Sequence, residues 1–299
     1  MRILISGASG LIGSALARRL AASNEVVRLV RHRTAGDAEI AWNPDAGTID
    51  AGALEGLDAV VHLAGENVGA GRWTAAKKAR IRASRVEGTS LLARTLAGLT
   101  RPPRAMVSAS AIGFYGDRGG EELDETSGAG RGFLAEVCRA WEAAAAPASE
   151  AGIRVVLARF GVVLARQGGA LARMLPLFRL GLGGRLGSGR QFMSWIALED
   201  AVGALAFVLE NESLEGPVNV TSPQPVTNRQ FTASLARVLR RPALLHAPAF
   251  ALRAALGEMA EEMLLASARV FPRRLLASGY RFAQPDLETA LRELAAQDR

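Results

Sequence analysis

The sequence predicts an α/β fold: a doubly wound parallel sheet (Rossmann) in residues 1–160 and a smaller C-terminal substrate lobe in residues 161–299, with segments near 190–220 returning to pack on the first part. Three observations predict it. The apolar run Ile3-Leu4-Ile5 ends at Gly7, Gly10 and Gly13 and passes directly into residues with helical spacing, which reads as strand, tight turn, helix. Further apolar runs at 25–30, 58–63, 105–111 and 153–158 alternate with stretches of helical pattern, as parallel crossovers require. From Phe160 onward the alternation loosens and glycines crowd at 168, 169, 181, 183, 184, 187 and 189, which marks the second lobe.

The first turn carries the clearest chemistry. Gly7 permits the sharp bend, Gly10 lets backbone N–H groups approach a phosphate with no Cβ in the way, and Gly13 lets the helix lie close to the strand. The N–H groups and dipole at the start of that helix then face an anion. Gly7, Ser9, Gly10, Leu11, Ile12 and Gly13 are therefore candidate pyrophosphate-binding residues of a dinucleotide site.

The second strand, EVVRLV at 25–30, runs into Arg31-His32-Arg33. An acid there suits a free ribose 2′-hydroxyl and a basic group suits a 2′-phosphate, so Arg31 favours NADP over NAD. A solvated basic loop is the competing reading. The next strand, DAVVHL at 58–63, closes on the small pair Ala64-Gly65, which leaves room for the cofactor at a strand's carboxyl end. His62 lies inside that strand and reads as a packed core histidine rather than a catalytic one. A long helix is predicted over 72–99, stopped by Pro102-Pro103.

AMVSASA at 105–111 is the following strand, and its Ser108 and Ser110 point to one face, over the crevice. An acidic loop at 117–125, a helix over about 132–146 and a strand at 153–158 complete the first part. In the second lobe, 190–196 reads as a strand, Asp200 opens a helix, 219–221 is a short strand, Thr227 caps a helix to Leu239, and 285–296 is a helix with proline in its first turn. Arg190 and Arg159 are candidates to hold an anionic substrate group, and Trp195 to stack on a substrate ring; solvation or packing explains each equally well.

Composition narrows the classes. A net charge of +7 and a pI near 10.7 allow nucleic acid or anionic ligands, but the basic residues are spread along the chain and no nucleic-acid-binding motif is present. A small-molecule substrate is expected, without nucleic acid. The single cysteine, Cys138, permits no intrachain disulfide, and with only His32, His62 and His246 a Cys/His metal site is not expected. The apolar residues from Ile3 belong to the βαβ pattern rather than to a signal peptide, and no uncharged apolar run reaches the ~20 residues of a membrane span. A cytoplasmic protein without membrane partners is expected.

Beyond these residues, GASGLIG, DAVVHLAG and SASAIGFYG resemble the nucleotide, fourth-strand and serine-strand motifs of the extended short-chain dehydrogenase/reductases. WNP at 42–44, RWTAAKKARIRASRVEGT at 72–89, FGVVLARQGGAL at 160–171, GSGRQFMSWIALED at 187–200 and FPRRLLASGYRFAQPDLETAL at 271–291 resemble its atypical sugar-nucleotide epimerase-like branch, the last being a C-terminal element of unassigned function. The resemblance covers nearly the whole chain. It implies a serine, a tyrosine four residues before a lysine, and an asparagine; the lysine and the nicotinamide charge lower the tyrosine pKa for proton transfer.

That set is broken here. The only tyrosines, Tyr115 and Tyr280, have Gly119 and Gln284 four residues on. Aligned on Trp141-Glu142, the tyrosine and lysine positions fall on Leu134 and Cys138, and the asparagine position falls on Arg85. The branch's SWIH histidine is Ala197. Ser110 survives as the serine, with Ser108 second, and Tyr115 is the substitute proton donor unless its ring merely packs over the crevice mouth. The expectation is an NADP-dependent oxidoreductase or epimerase-like enzyme on a small, anionic substrate. The alternative is a non-catalytic NADP(H)-dependent regulator or sensor, because the resemblance extends to proteins associated with cell or plastid division. Pairing through the long helices, a homodimer, is expected from the resemblance.

Overall fold

The computed structural model describes residues 1–32 and 38–296; Arg33 lies outside them. In chain order the first part runs β1 (Arg2–Ser6), α1 (Leu11–Leu20), β2 (Glu25–Val30), β3 (Glu39–Asn43), β4 (Thr48–Ile49), β5 (Ala59–His62), α2 (Ala75–Ala97), β6 (Ala105–Ala111), β7 (Glu122–Leu123), α3 (Phe133–Ala143), α4 (Ala146–Glu150) and β8 (Arg154–Phe160). The second part adds β9 (Val162–Leu164), α5 (Gly169–Arg179), β10 (Gly184–Leu186), β11 (Phe192–Met193), β12 (Trp195–Ala197), α6 (Leu198–Glu210) and β13 (Gly216–Val220). It ends with β14 (Val226–Thr227), α7 (Asn228–Leu239), β15 (Leu245–Ala247), α8 (Ala249–Leu256), α9 (Glu258–Ala260), β16 (Arg269–Val270), α10 (Arg273–Ala277) and α11 (Leu287–Ala296).

One sheet of order β13-β8-β6-β5-β1-β2-β3-β4 organises the chain, parallel throughout except for the β3–β4 edge. Helices on both faces explain why its strands read as apolar runs rather than as alternating patterns. Ile3 and Ile5 face a layer that includes Leu16 and Leu20 of α1 and Leu205 and Val208 of α6. Leu4, between them, faces the opposite layer with Leu92 and Leu96 of α2. The strand order reverses between β1 and β5, so the crevice opens at their carboxyl ends.

A third core gathers Leu171 and Leu175 of α5, Phe231 and Leu235 of α7, Leu291 of α11 and Trp195 of β12. Thr227 caps α7 through a capping box with Gln230. Two local readings change. The strand expected at 190–196 is broken at Ser194, whose Oγ accepts from Val270 N at 2.8 Å, so β11 and β12 pair with different strands, β14 and β9. Pro285 precedes the last helix, and Asp286 caps it by accepting from Thr289 N at 2.9 Å. Among the described residues no helix is long and apolar enough to cross a membrane.

Candidate active site

The glycine turn is as tight as its spacing demands. Gly7 has φ +67°, and a Cβ there would stand 2.8 Å from the Leu63 carbonyl. A Cβ on Gly13 would stand 2.2 Å from the Gly7 carbonyl oxygen, so α1 rests on the turn itself. Among the described residues no side chain caps α1 at Gly10; its first turn holds no acid, and Arg18 and Arg19 occupy its last turn. Its start is therefore electropositive, with Ser9 and Gly10 exposed beside it. Leu11 and Ile12 are half-buried; a Cβ on Gly168, just before α5, would lie 3.2 Å from Leu11 Cδ1, so that segment closes over the turn.

Arg31 is exposed at the carboxyl end of β2. It belongs to a basic group around Glu66: Lys77 Nζ donates to Glu66 Oε1 at 2.6 Å and Arg80 Nε is 3.9 Å from the same atom. The Lys77 hydrogen bond first, then the charges of Lys77, Arg80 and Arg31, hold the Glu66 carboxyl below the ordinary range.

At the end of β5, Ala64 and the exposed Gly65 line the crevice. Ser6 Oγ accepts from the N–H of Leu63 at 3.0 Å and of Ala64 at 3.2 Å, which leaves its own proton for His62 Nδ1 at 2.7 Å. His62 is fully buried, edge-on to Trp42, and burial pushes its pKa down to about 4. Between pH 6.5 and 4 the unfolded chain binds a proton that the folded chain refuses, so stability falls as pH falls through that window. We expect chemical denaturation to lose about 2 kcal/mol from His62 between pH 7 and pH 5. That increment should vanish in His62→Gln; an identical pH dependence in both proteins would refute it.

Ser108 and Ser110 share the sheet face of His62 and Arg159, in register with Leu157 and Arg159 of β8. Both are buried, and Ser110 Oγ donates to Glu142 Oε1 at 2.6 Å. Glu142 also accepts from Arg159 Nε and Nη2, each at 2.7 Å. Arg159 Nη1 donates to Tyr115 OH at 3.0 Å, and that hydroxyl donates to Asn219 Oδ1 at 2.8 Å. Asn219 N in turn donates to Glu125 Oε1 at 3.0 Å.

This chain of polar contacts corrects three expectations. Tyr115 is 0 % exposed with its hydroxyl committed on both sides, and burial, outweighing Arg159, raises its pKa; it braces the network instead of meeting a substrate. Arg159 is spent on Glu142 and sits over Phe114, its Cζ 3.5 Å from the ring centroid, so it holds no anionic substrate group. Trp195 is fully buried in the third core, its Nε1 donating to Gln224 O at 2.9 Å, and offers no face to a substrate ring. Arg190 is exposed. Glu142, Asn219, Glu125 and Arg85 were not singled out as site residues from the sequence. For Glu142 a signal existed: it lies one turn after Cys138 and beside Trp141, a carboxylate on the buried side of an amphipathic helix.

The substituted positions are brought together. Leu134 lies with Trp73, Ile81, Val137 and Met259 in one apolar cluster. A Cβ on Gly113, just after β6, would lie 3.2 Å from Leu134 Cβ and 3.8 Å from Cys138 Sγ. Burial first, then Glu142, pushes the Cys138 thiol up to about 12, which removes it from acid–base work. Arg85 Nη1 donates to Glu66 O at 3.0 Å and Ile81 O at 3.2 Å. The C-terminal segment stands over the starts of α2 and α3. Glu262 caps α3 by accepting from Phe133 N at 2.6 Å and Leu134 N at 2.8 Å, and Glu258 pairs with Lys78 at 2.8 Å.

Residues 3–221 match the NAD dependent epimerase/dehydratase family, and residues 247–294 match a domain of unknown function, DUF1731. An epimerase family protein of Mycobacterium tuberculosis is 48 % identical over 290 residues, 97 % of this chain and 96 % of that protein. The epimerase family protein SDR39U1 of Homo sapiens is 38 % identical over 299 residues, 99 % of this chain and 100 % of that one. A crystal structure of human SDR39U1 (isoform 2) with NADPH superposes with a TM-score of 0.92 at 37 % identity, covering 99 % of each chain.

Proposed function

Because the chain belongs to the NAD dependent epimerase/dehydratase family, we propose that it binds NADP(H) across the β1–β5 crevice and serves as an oxidoreductase or epimerase-like enzyme on a small, anionic substrate. The observation that carries this reading is the contact of Gly13 with the Gly7 carbonyl, which sets the uncapped start of α1 at the switch point. The NADPH in the human relative supports the choice of dinucleotide, and so does the exposed Arg31.

A bound nicotinamide supplies or accepts a hydride. The chain's own part is to cradle the pyrophosphate on the N–H groups of α1, to hold the 2′-phosphate with Arg31, and to fix the Ser110 hydroxyl through Glu142 at the end of β6. An anionic substrate is supported by the charge of the second half. Between Glu150 and Glu199 the chain has no acid and seven arginines, and between Glu215 and Glu258 no acid and five. The basic residues keep their average density there, and it is the acids that are unevenly spread.

Replacing Arg31 with alanine is expected to weaken NADPH about tenfold and leave NADH unchanged, read by fluorescence titration. Equal loss for both would remove Arg31 from the 2′-phosphate. Screening carbonyls, sugars and acids for nicotinamide absorbance changes tests the enzyme reading. Tight NADPH binding with no turnover anywhere in the screen would sink it in favour of a non-catalytic NADP(H) sensor. That second reading is favoured by one observation: Leu134, at the usual tyrosine position, is packed in the apolar cluster of Met259, with its N–H held by Glu262.

A further inference from the structure

Arg85 is a half-buried cation that no carboxylate pairs with among the described residues. A guanidinium presents five N–H donors in a planar fork. Among the described residues only Nη1 is engaged, on the carbonyls of Glu66 and Ile81. The guanidinium lies over the Trp141 ring, with Cζ 5.0 Å from the ring centroid, a cation–π contact that helps hold the fork in place. The Nε and Nη2 edge donates to nothing among the described residues, and Cζ stands 3.4 Å from where a Cβ on Gly65 would be. A cation kept half out of water without an acid costs stability, so a leucine would pack on Trp141 more cheaply.

The guanidinium stands beside Gly65, and the sheet order says which part of the crevice Gly65 borders. Arg31 and β2 lie on one side of the switch point, and β5 and β6 on the other. With the pyrophosphate at α1 and the adenosine ribose at Arg31, the other half of the dinucleotide runs over β5 and β6. Gly65 ends the first of these, and Cys138, at the usual lysine position, feels the Arg85 charge beside the second. We propose that Arg85 is a positioning residue for the nicotinamide riboside, its Nε and Nη2 edge donating to the vicinal hydroxyls of that ribose. The cation of the site is thereby delivered from α2 instead of α3. This rests on the NADP(H) reading above.

Calorimetric titration of Arg85→Ala and Arg85→Lys with two probes, NADPH and adenosine 2′,5′-bisphosphate, tests it. Arg85→Ala should bind NADPH about tenfold more weakly or worse and the bisphosphate within about twofold of the parent, and Arg85→Lys should recover part of the loss. Retained bisphosphate binding also shows that the variant is folded. Equal weakening of both probes would reduce Arg85 to a brace for the Glu66 loop and overturn the inference. Unchanged NADPH affinity would overturn it while leaving the cofactor reading intact. A parent protein that binds neither probe would overturn the cofactor reading itself, and this inference with it.

Discussion

Truncating Glu142 to alanine is expected to destabilise the fold by ~3–5 kcal/mol, seen as a lower denaturant midpoint with an unchanged slope. The size follows from what is stranded. Arg159 is 4 % exposed at its side chain, and two of its three donor contacts end on Glu142. Without that carboxylate a full charge is left at the carboxyl end of β8 against the Tyr115 hydroxyl and the Phe114 and Tyr115 rings, with no acid paired to it among the described residues. Ser110 loses its acceptor in the same step. Buried pairs are poor sources of net stability, so the double change Glu142→Ala with Arg159→Met should recover much of the loss. Glu142→Ala within about 1 kcal/mol of the parent would show that water reaches this site and relieves the charge.

The same network shows where reading the sequence runs out. The first strand, turn and helix were legible because each depends on neighbours in the chain: Ile3 and Ile5 alternate with Leu4 across the sheet, and Gly7 and Gly13 meet within one turn. The crossovers followed from period and length. Tyr115 and Trp195 misled because polar or aromatic side chains near a crevice look alike in sequence whether they face inward or outward. What decided both was distant in the chain: Asn219 is 104 residues from Tyr115, and Gln224 O is 29 residues from Trp195. Glu262, 128 residues from Leu134, is of the same kind. Even the cap of the last helix depended on Asp286 rather than on the proline before it, because an acceptor for Thr289 N does what a proline cannot.

Replacing Gly13 with valine should cost at least about a hundredfold in NADPH affinity while the rest of the sheet stays folded. A Cβ at that position would lie 2.2 Å from the Gly7 carbonyl oxygen, and the neighbouring atoms it meets are backbone, not a flexible side chain. Something rigid must yield. The carbonyl at Gly7 cannot, because it accepts from Gly10 N at 2.9 Å and holds the turn closed. The Gly7 backbone is itself hemmed in, since a Cβ there would stand 2.8 Å from Leu63. The helix must therefore lift off the strand by more than an ångström. Leu16, Ala17 and Leu20 anchor it to Ile3 and Ile5, so it pivots at its start and keeps its far end. That start is the part that presents N–H groups to a phosphate, and a misplaced donor loses most of a charge-assisted hydrogen bond. Adenosine 2′,5′-bisphosphate, which lacks the second half of the pyrophosphate, should lose less than NADPH does. If Gly13→Val bound NADPH as the parent does, the start of α1 would not hold the pyrophosphate, and the contact of Gly13 with the Gly7 carbonyl would be a matter of packing alone.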